Sequence, residues 1–211
     1  MNNLVNESLV KRYIVFFIGV IINSFGIAFI TKATLGTSPI SSVPFVLSQK
    51  FPLSFGTISF AFNLLFIVAQ MVLLKKDFEK IQFLQIVVNI IFSVAIDISM
   101  FILQFLNPEM MLMKLICLVV GCAILGFGIT IEVAPDVLMV PGEGIVSAIS
   151  KTFKKEFGSV KLCFDVTLMA TALTLSLIFF HKLNGIGIGT IISSFLIGTF
   201  VKIFRKILKL N

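Results

Sequence analysis

Four ionisable side chains stand in or beside long apolar stretches of this chain: Asp97, Glu143, Lys161 and Asp165. Charge inside hydrocarbon is costly, so such residues are kept for ion paths, proton relays or charged ligands. Lys161 and Asp165 are one helical turn apart, which places them on one face; the same spacing also serves a purely structural ion pair. Asp97 is either a ligand group or an interfacial residue near the outer leaflet. Glu143 belongs to Pro141-Gly142-Glu143-Gly144, and that stretch has a twin 102 residues earlier, Pro39-Ile40-Ser41-Ser42. Ser38 followed by Pro39 is a helix start, a capping hydroxyl and then proline at the first helical position. At the same offset Glu143, Lys161 and Asp165 correspond to Ser41, Ser59 and Asn63, so one half of the chain is charged where the other is neutral and polar.

Neutral polar residues complete the set. Gln85, Asn89, Ser93 and Asp97 follow one another at i+4 steps, and Ser59, Asn63 and Gln70 share a stripe of the preceding span. With Asn23 they either line a polar path or act as interhelical hydrogen-bond glue, and both roles point inward. The expected ligand-binding set is Ser38, Ser41, Asn63, Gln85, Asn89, Asp97, Gly142, Glu143, Lys161 and Asp165. Catalysis is not expected, because no nucleophile–base pair stands out. Cys117, Cys122 and Cys163 form no C-x-x-C and His181 is the single histidine, so their spacing builds no zinc site and no cofactor is implied. The cysteines read as packing residues, His181 as a solvated loop end, and Lys202 as a cytoplasmic anchor whose stem lies along the apolar surface.

The elements that must position these groups follow from composition. Apolar residues make up 58% of the 211 and charged residues 13%, against about 25% charged in a soluble domain. Spans of roughly 20 apolar residues recur, each long enough to cross a bilayer. They are expected at about 13–31, 55–74, 82–106, 112–131, 159–180 and 185–204, after a short polar lead over 1–10. The first reads as an uncleaved span rather than a signal peptide. Segments 39–49 and 141–153 are too short to cross and are expected to be re-entrant or interfacial. The net charge of +7 does not indicate nucleic acid, because the basic residues lie at span ends. With the N-terminus inside, thirteen Lys and Arg fall on the cytoplasmic side and four outside, a strong positive-inside bias.

The chain is therefore expected to be a single all-α polytopic membrane domain over 1–211, made of two repeats at about 11–106 and 112–209. The offset pairs Gly26 with Gly128, Phe55 with Phe157 and Gly56 with Gly158. Later it becomes 105, matching Gln85, Asn89, Ser93 and Asp97 to Thr190, Ser194, Gly198 and Lys202. Each repeat has three spans, an odd number, so the two are expected to be inserted upside down relative to one another, with both termini cytoplasmic.

Gly26-Ile27-Ala28 leading to Leu35-Gly36-Thr37-Ser38-Pro39-Ile40 resembles the first half of the bacterial YczE/YyaS/YitT family of integral membrane proteins. Pro141 to Gly144, Val160 to Asp165 and Gly189-Thr190-Ile191 resemble its second half, in the manner of the YczE branch. The resemblance implies a small bacterial inner-membrane protein, usually regarded as a transporter. It supplies neither a substrate nor a catalytic motif.

Inverted repeats with broken helices are a carrier architecture, with the ligand near mid-membrane at half-helix N-termini. The leading expectation is a carrier of a small molecule or ion with its site between the two Pro-started segments. Alternatives are a membrane substrate-capture subunit served by an ATPase partner, or a structural or regulatory membrane protein. The expected partners are the lipid bilayer and a small molecule or ion, with a second copy of the chain or an ATPase as open alternatives.

Overall fold

The computed structural model of the protein describes residues 7–209; most of the polar lead lies outside that range. Eight α-helices follow in order: α1 (Leu9–Lys32), α2 (Pro39–Lys50), α3 (Phe55–Leu74), α4 (Leu84–Ile102), α5 (Met111–Val133), α6 (Pro141–Phe153), α7 (Phe157–Phe180) and α8 (Ile188–Ile207). Six of them are long and apolar enough to cross a membrane, and the short α2 and α6 are the Pro-started segments. Among the described residues no strand occurs.

Local chemistry explains the ends. Ser8 and Ser54 accept backbone N–H groups of Lys11 and Thr57 and so cap α1 and α3. Lys154 and His181 close α6 and α7 in the left-handed conformation. Ser38 holds the cap position of α2, but its hydroxyl donates to Ser41 Oγ at 3.0 Å rather than accepting from the backbone. Proline at the first helical position already lacks one of the donors a cap would satisfy. The charged loop after α3 is two short 3-10 turns, Lys75–Asp77 and Lys80–Phe83.

The centre of the molecule is the crossing of α1 and α5. Gly26 faces the backbone of Leu125, where a Cβ would lie 2.6 Å from the Leu125 nitrogen. Gly128 faces Asn23, Gly121 faces Ile30, and Gly19 faces Glu132. As numbers rise along α1 they fall along α5, so the helices run antiparallel with backbone against backbone. Lipid supplies no hydrophobic drive for helix pairing, so close packing through small residues is what holds such a crossing.

The other helices attach in matching fashion. α4 packs on α1 and α8 on α5, while α2 packs on α7 and α6 on α3. One apolar cluster joins Ile27, Ile30, Phe55 and Ile96 to Leu118 and Leu125 at the centre. A second gathers Val43, Val46 and Phe66 with Ile145, Leu168 and Ala172, which fastens α2 and α6 to α3 and α7. Large apolar side chains such as Leu65, Val72, Phe101, Leu162 and Phe195 cover the outside, as a helix bundle in lipid requires.

The matching breaks most clearly at one place. α3 lies along α4, but among the described residues α7 stands off from α8. Accordingly α7 buries only Leu168, Ala172 and Ser176, and α8 only Gly189, Thr190 and Ser193. The stripe Thr190, Ser194, Gly198 and Lys202 is buried at its start and exposed by Gly198.

Candidate functional site

The N-termini of α2 and α6 meet inside the bundle. Gly142 lies against the Ile40 side chain, leaving no space for a Cβ. Ser38, Ser41 and Gly142 are buried there and Glu143 is half-buried. Both linkers into this point are tied down. The Gly189 N–H donates to Leu35 O at 2.8 Å, the Thr37 N–H to Thr190 Oγ1 at 3.2 Å, and Ser193 Oγ to Thr37 O at 3.3 Å. Gly36, at φ +124°, makes the turn that exposes Leu35 O to α8, a conformation that needs glycine. The α5–α6 linker is held by Arg12, whose Nε donates to Pro135 O at 2.9 Å and Nη2 to Asp136 O at 2.8 Å. Gln70 Nε2 donates to Pro141 O at 3.3 Å, fixing the first residue of α6.

Asn63, Gln85 and Asn89 line the α3–α4 seam, and their amides are spent on neighbouring groups of the protein. Asn63 Nδ2 donates to Asn89 Oδ1 at 2.9 Å, and Asn89 Nδ2 to Phe60 O at 2.9 Å. Gln70 and Gln85 exchange amide bonds at 3.0 and 3.1 Å. This is a clasp, worth on the order of 1 kcal/mol per bond in a membrane. Between the two amide pairs and Gly56, the buried hydroxyls of Ser59 and Ser93 have no hydrogen-bond partner.

Asp97 lies on α4, twelve residues from Gln85, about 18 Å away along a helix. Both of its oxygens are engaged at the start of α3: Oδ2 accepts from Ser54 Oγ at 2.5 Å and Oδ1 from the Gly56 N–H at 2.8 Å. The structure does not bring it to the α2–α6 meeting point. Its carboxylate complements the positive end of α3. Asp97→Ala should cost about 1 kcal/mol, as cap losses do, and lower the melting temperature of the detergent-purified protein. An unchanged melting curve would remove Asp97 from the cap.

Lys161 and Asp165 form an ion pair of 2.6 Å on α7, with side chains 29% and 15% exposed. They line an open cavity of about 160 Å³ between α7 and α8, with Ser194 and Phe195 on the α8 side. At the sequence offsets of 102 and 105, Asp165 and Ser194 correspond to Asn63 and Asn89. The Asn63–Asn89 bond joins α3 to α4, whereas a charged cleft lies between α7 and α8. Glu143 is within electrostatic reach of this cleft. Burial pushes its carboxyl above the usual carboxylate range, the Lys161 charge opposes that shift, and the Asp165 charge adds to it.

Glu132 was not among the expected site residues. It sits at the end of α5, 1% exposed, and its Oε2 accepts from Nδ2 of Asn23, itself 4% exposed. Glu132 Oε1 and Asn23 Oδ1 have no donor in hydrogen-bond geometry, and Glu143 lies within electrostatic reach. A signal for it exists in the sequence: at the offset of 102, Glu132 stands opposite Ile30 and Asn23 opposite Leu125. The offset thus sets a polar pair against an apolar one, which singles Glu132 out only once its burial is known.

No solved structure matches the chain. It is similar to the uncharacterized protein YyaS of Bacillus subtilis (strain 168), at 28% identity over 202 residues, covering 94% of each chain. The model of a family of unknown function, DUF6198, matches residues 10–206. By that match, which takes in all eight helices except the first residue of α1 and the last of α8, the chain belongs to the DUF6198 family.

Proposed function

We infer that the protein is a carrier, moving a small molecule or ion across the bacterial inner membrane by alternating access between two inverted repeats. The observation that carries this reading is the unequal packing of equivalent helix pairs. α3 is clasped to α4, while a charged cleft separates α7 from α8. Two halves with one plan in two arrangements are what a carrier caught in one of its states presents. The antiparallel α1–α5 crossing supports inversion, since these are the first helices of the two repeats. The ligand site lies between the N-termini of α2 and α6, whose dipoles favour a negatively charged group, with Lys161 supplying a further positive charge at the cleft. The motifs around Pro141, Asp165 and Gly189 favour the YczE branch of the family.

Purified protein in liposomes should catalyse uptake or exchange of its substrate without ATP. A thermal-shift screen against metabolites identifies the substrate beforehand, because a ligand of the folded state raises apparent stability. A second reading, a capture subunit for an ATP-driven importer, draws on the low burial of α7 and α8, which leaves them free to dock a partner. Substrate binding with flux only on addition of an ATPase partner would favour it.

Both termini belong in the cytoplasm on this reading, with the loop after α2 outside and the loop after α6 inside. Reporter fusions at Lys50 and Lys154 should land on opposite faces of the membrane. If both report the same face, the inverted arrangement is lost.

A further inference from the structure

The Asn23–Glu132 contact has an apolar twin within the same molecule. At the offset of 102, Asn23 corresponds to Leu125 and Glu132 to Ile30, and Gly19 and Gly26 correspond to Gly121 and Gly128. The structure uses both sets at one crossing: Gly19 lies against Glu132 and Gly121 against Ile30, Gly128 against Asn23 and Gly26 against Leu125. The Leu125–Ile30 side builds its half of the crossing from hydrocarbon alone. The polar pair is therefore not required for the packing.

The polar side is also incomplete as it stands. Two acceptors, Glu132 Oε1 and Asn23 Oδ1, are buried together with no donor in hydrogen-bond geometry; the Val140 N–H is the backbone group that acts on the carboxyl, and it does not neutralise the charge. A buried acceptor left unpaired forfeits its hydration, and a buried carboxylate forfeits far more. A proton on Glu132 removes the charge and supplies the missing donor, with the Asn23 amide free to turn either end toward it. Larger cations need more ligands than this pair supplies. Among the described residues no group of three or more His, Cys, Asp or Glu side chains is placed to hold a metal ion.

The surrounding charged groups offer little competition. Glu143, in the first turn of α6, is the charged group that acts on Glu132. It is in turn within reach of Lys161 and Asp165 at the α7–α8 cleft. From α1, Arg12 is taken up by the carbonyls of Pro135 and Asp136. Asp136 of the linker and Lys202 of α8 are exposed. On α4 the sole charge, Asp97, is held at the start of α3.

We propose that Asn23 and Glu132 form a proton-binding site that couples the carrier to the proton gradient. In the loading step an O–H bond forms at Glu132 as one breaks in a hydronium ion, which leaves as water. Release is the reverse. The site deepens the carrier reading and rests on it for its use, but proton binding itself is measurable without transport.

The test is infrared difference spectroscopy of the purified full chain in lipid nanodiscs across a pH step. The expected result is a carboxylic C=O band that titrates with pH, is lost in Glu132→Gln, and changes frequency in Asn23→Leu as the amide partner goes. Should Glu132→Gln fail to fold, the double variant Asn23→Leu/Glu132→Ile copies the apolar twin contact, and it too should lack the band. Retention of every titrating carboxylic band in these variants overturns the site. Abolition of the band by sodium at fixed pH overturns the proton as its ion. A band present in a protein with no flux in liposomes sinks the carrier and leaves the proton site. Flux with no band sinks the proton site alone.

Discussion

An oxidised disulfide between cysteines placed at 59 and 93 is expected to abolish uptake, and a reductant to restore it. Register sets this pair. Asn63 bonds to Asn89 and Gly56 backs onto Ser93 and Asp97, so Ser59 faces Ser93 between them. Neither hydroxyl has a partner, so Ser59→Cys/Ser93→Cys breaks no hydrogen bond, and Cys163→Ser removes the exposed native thiol. In alternating access the α3–α4 seam must open when the α7–α8 cleft closes. A covalent bond across the seam holds one state, and a carrier held in one state turns over nothing. The reduced variant should transport normally and the oxidised one not at all. A disulfide that forms fully and leaves uptake intact would show that the seam does not open, and the carrier reading would need another moving part.

Gly26→Ala is expected to be among the most damaging single-methyl changes in the molecule, while Gly198→Ala should be harmless or slightly stabilising. A Cβ at Gly26 would stand 2.6 Å from the Leu125 nitrogen and 2.7 Å from its Cα, and backbone cannot swing aside. The helices must part, at a cost of about 1–3 kcal/mol or more. Doing the same at Gly128, 2.7 Å from the Asn23 nitrogen, should compound the loss non-additively, since both act on one crossing. At Gly198 nothing lies within 4 Å, so alanine gains its helical preference of about 0.5–1 kcal/mol. Thermal melting in detergent reads the two signs. Equal melting temperatures for Gly26→Ala and the parent would mean that α1 and α5 are not packed backbone to backbone.

Much of this architecture was legible beforehand, for a physical reason. A bilayer core demands long apolar helices with satisfied backbones, so span existence follows from composition alone. Observed helices differ from the expected spans by a few residues at their ends, as at α1, which begins at Leu9 rather than near residue 13. Proline at a segment start gave α2 and α6. The buried face of α8 was harder, because its stripe of Thr190, Ser194 and Gly198 carries only small side chains, and which of them turn inward depends on how α8 leans on α5. Asp97 shows the same limit: a carboxylate beside a span serves a ligand or a helix cap, and only the position of Ser54 and Gly56 tells which. Glu132 was missed because it sits at a span boundary, where carboxylates are ordinary; its burial against Asn23 is a tertiary fact.

The antiparallel crossing also constrains how the chain can be made. Its central cluster joins Ile27, Ile30, Phe55 and Ile96 to Cys117, Leu118, Cys122 and Leu125, so α1 to α4 have no finished interior of their own. During synthesis α1 enters the bilayer with its glycine face and Asn23 uncovered, and waits for α5 to emerge about a hundred residues later. The halves are therefore one unit of biogenesis. A chain truncated after α4 would present an unfinished seam to the lipid, and the membrane's quality-control proteases would meet it as an orphan.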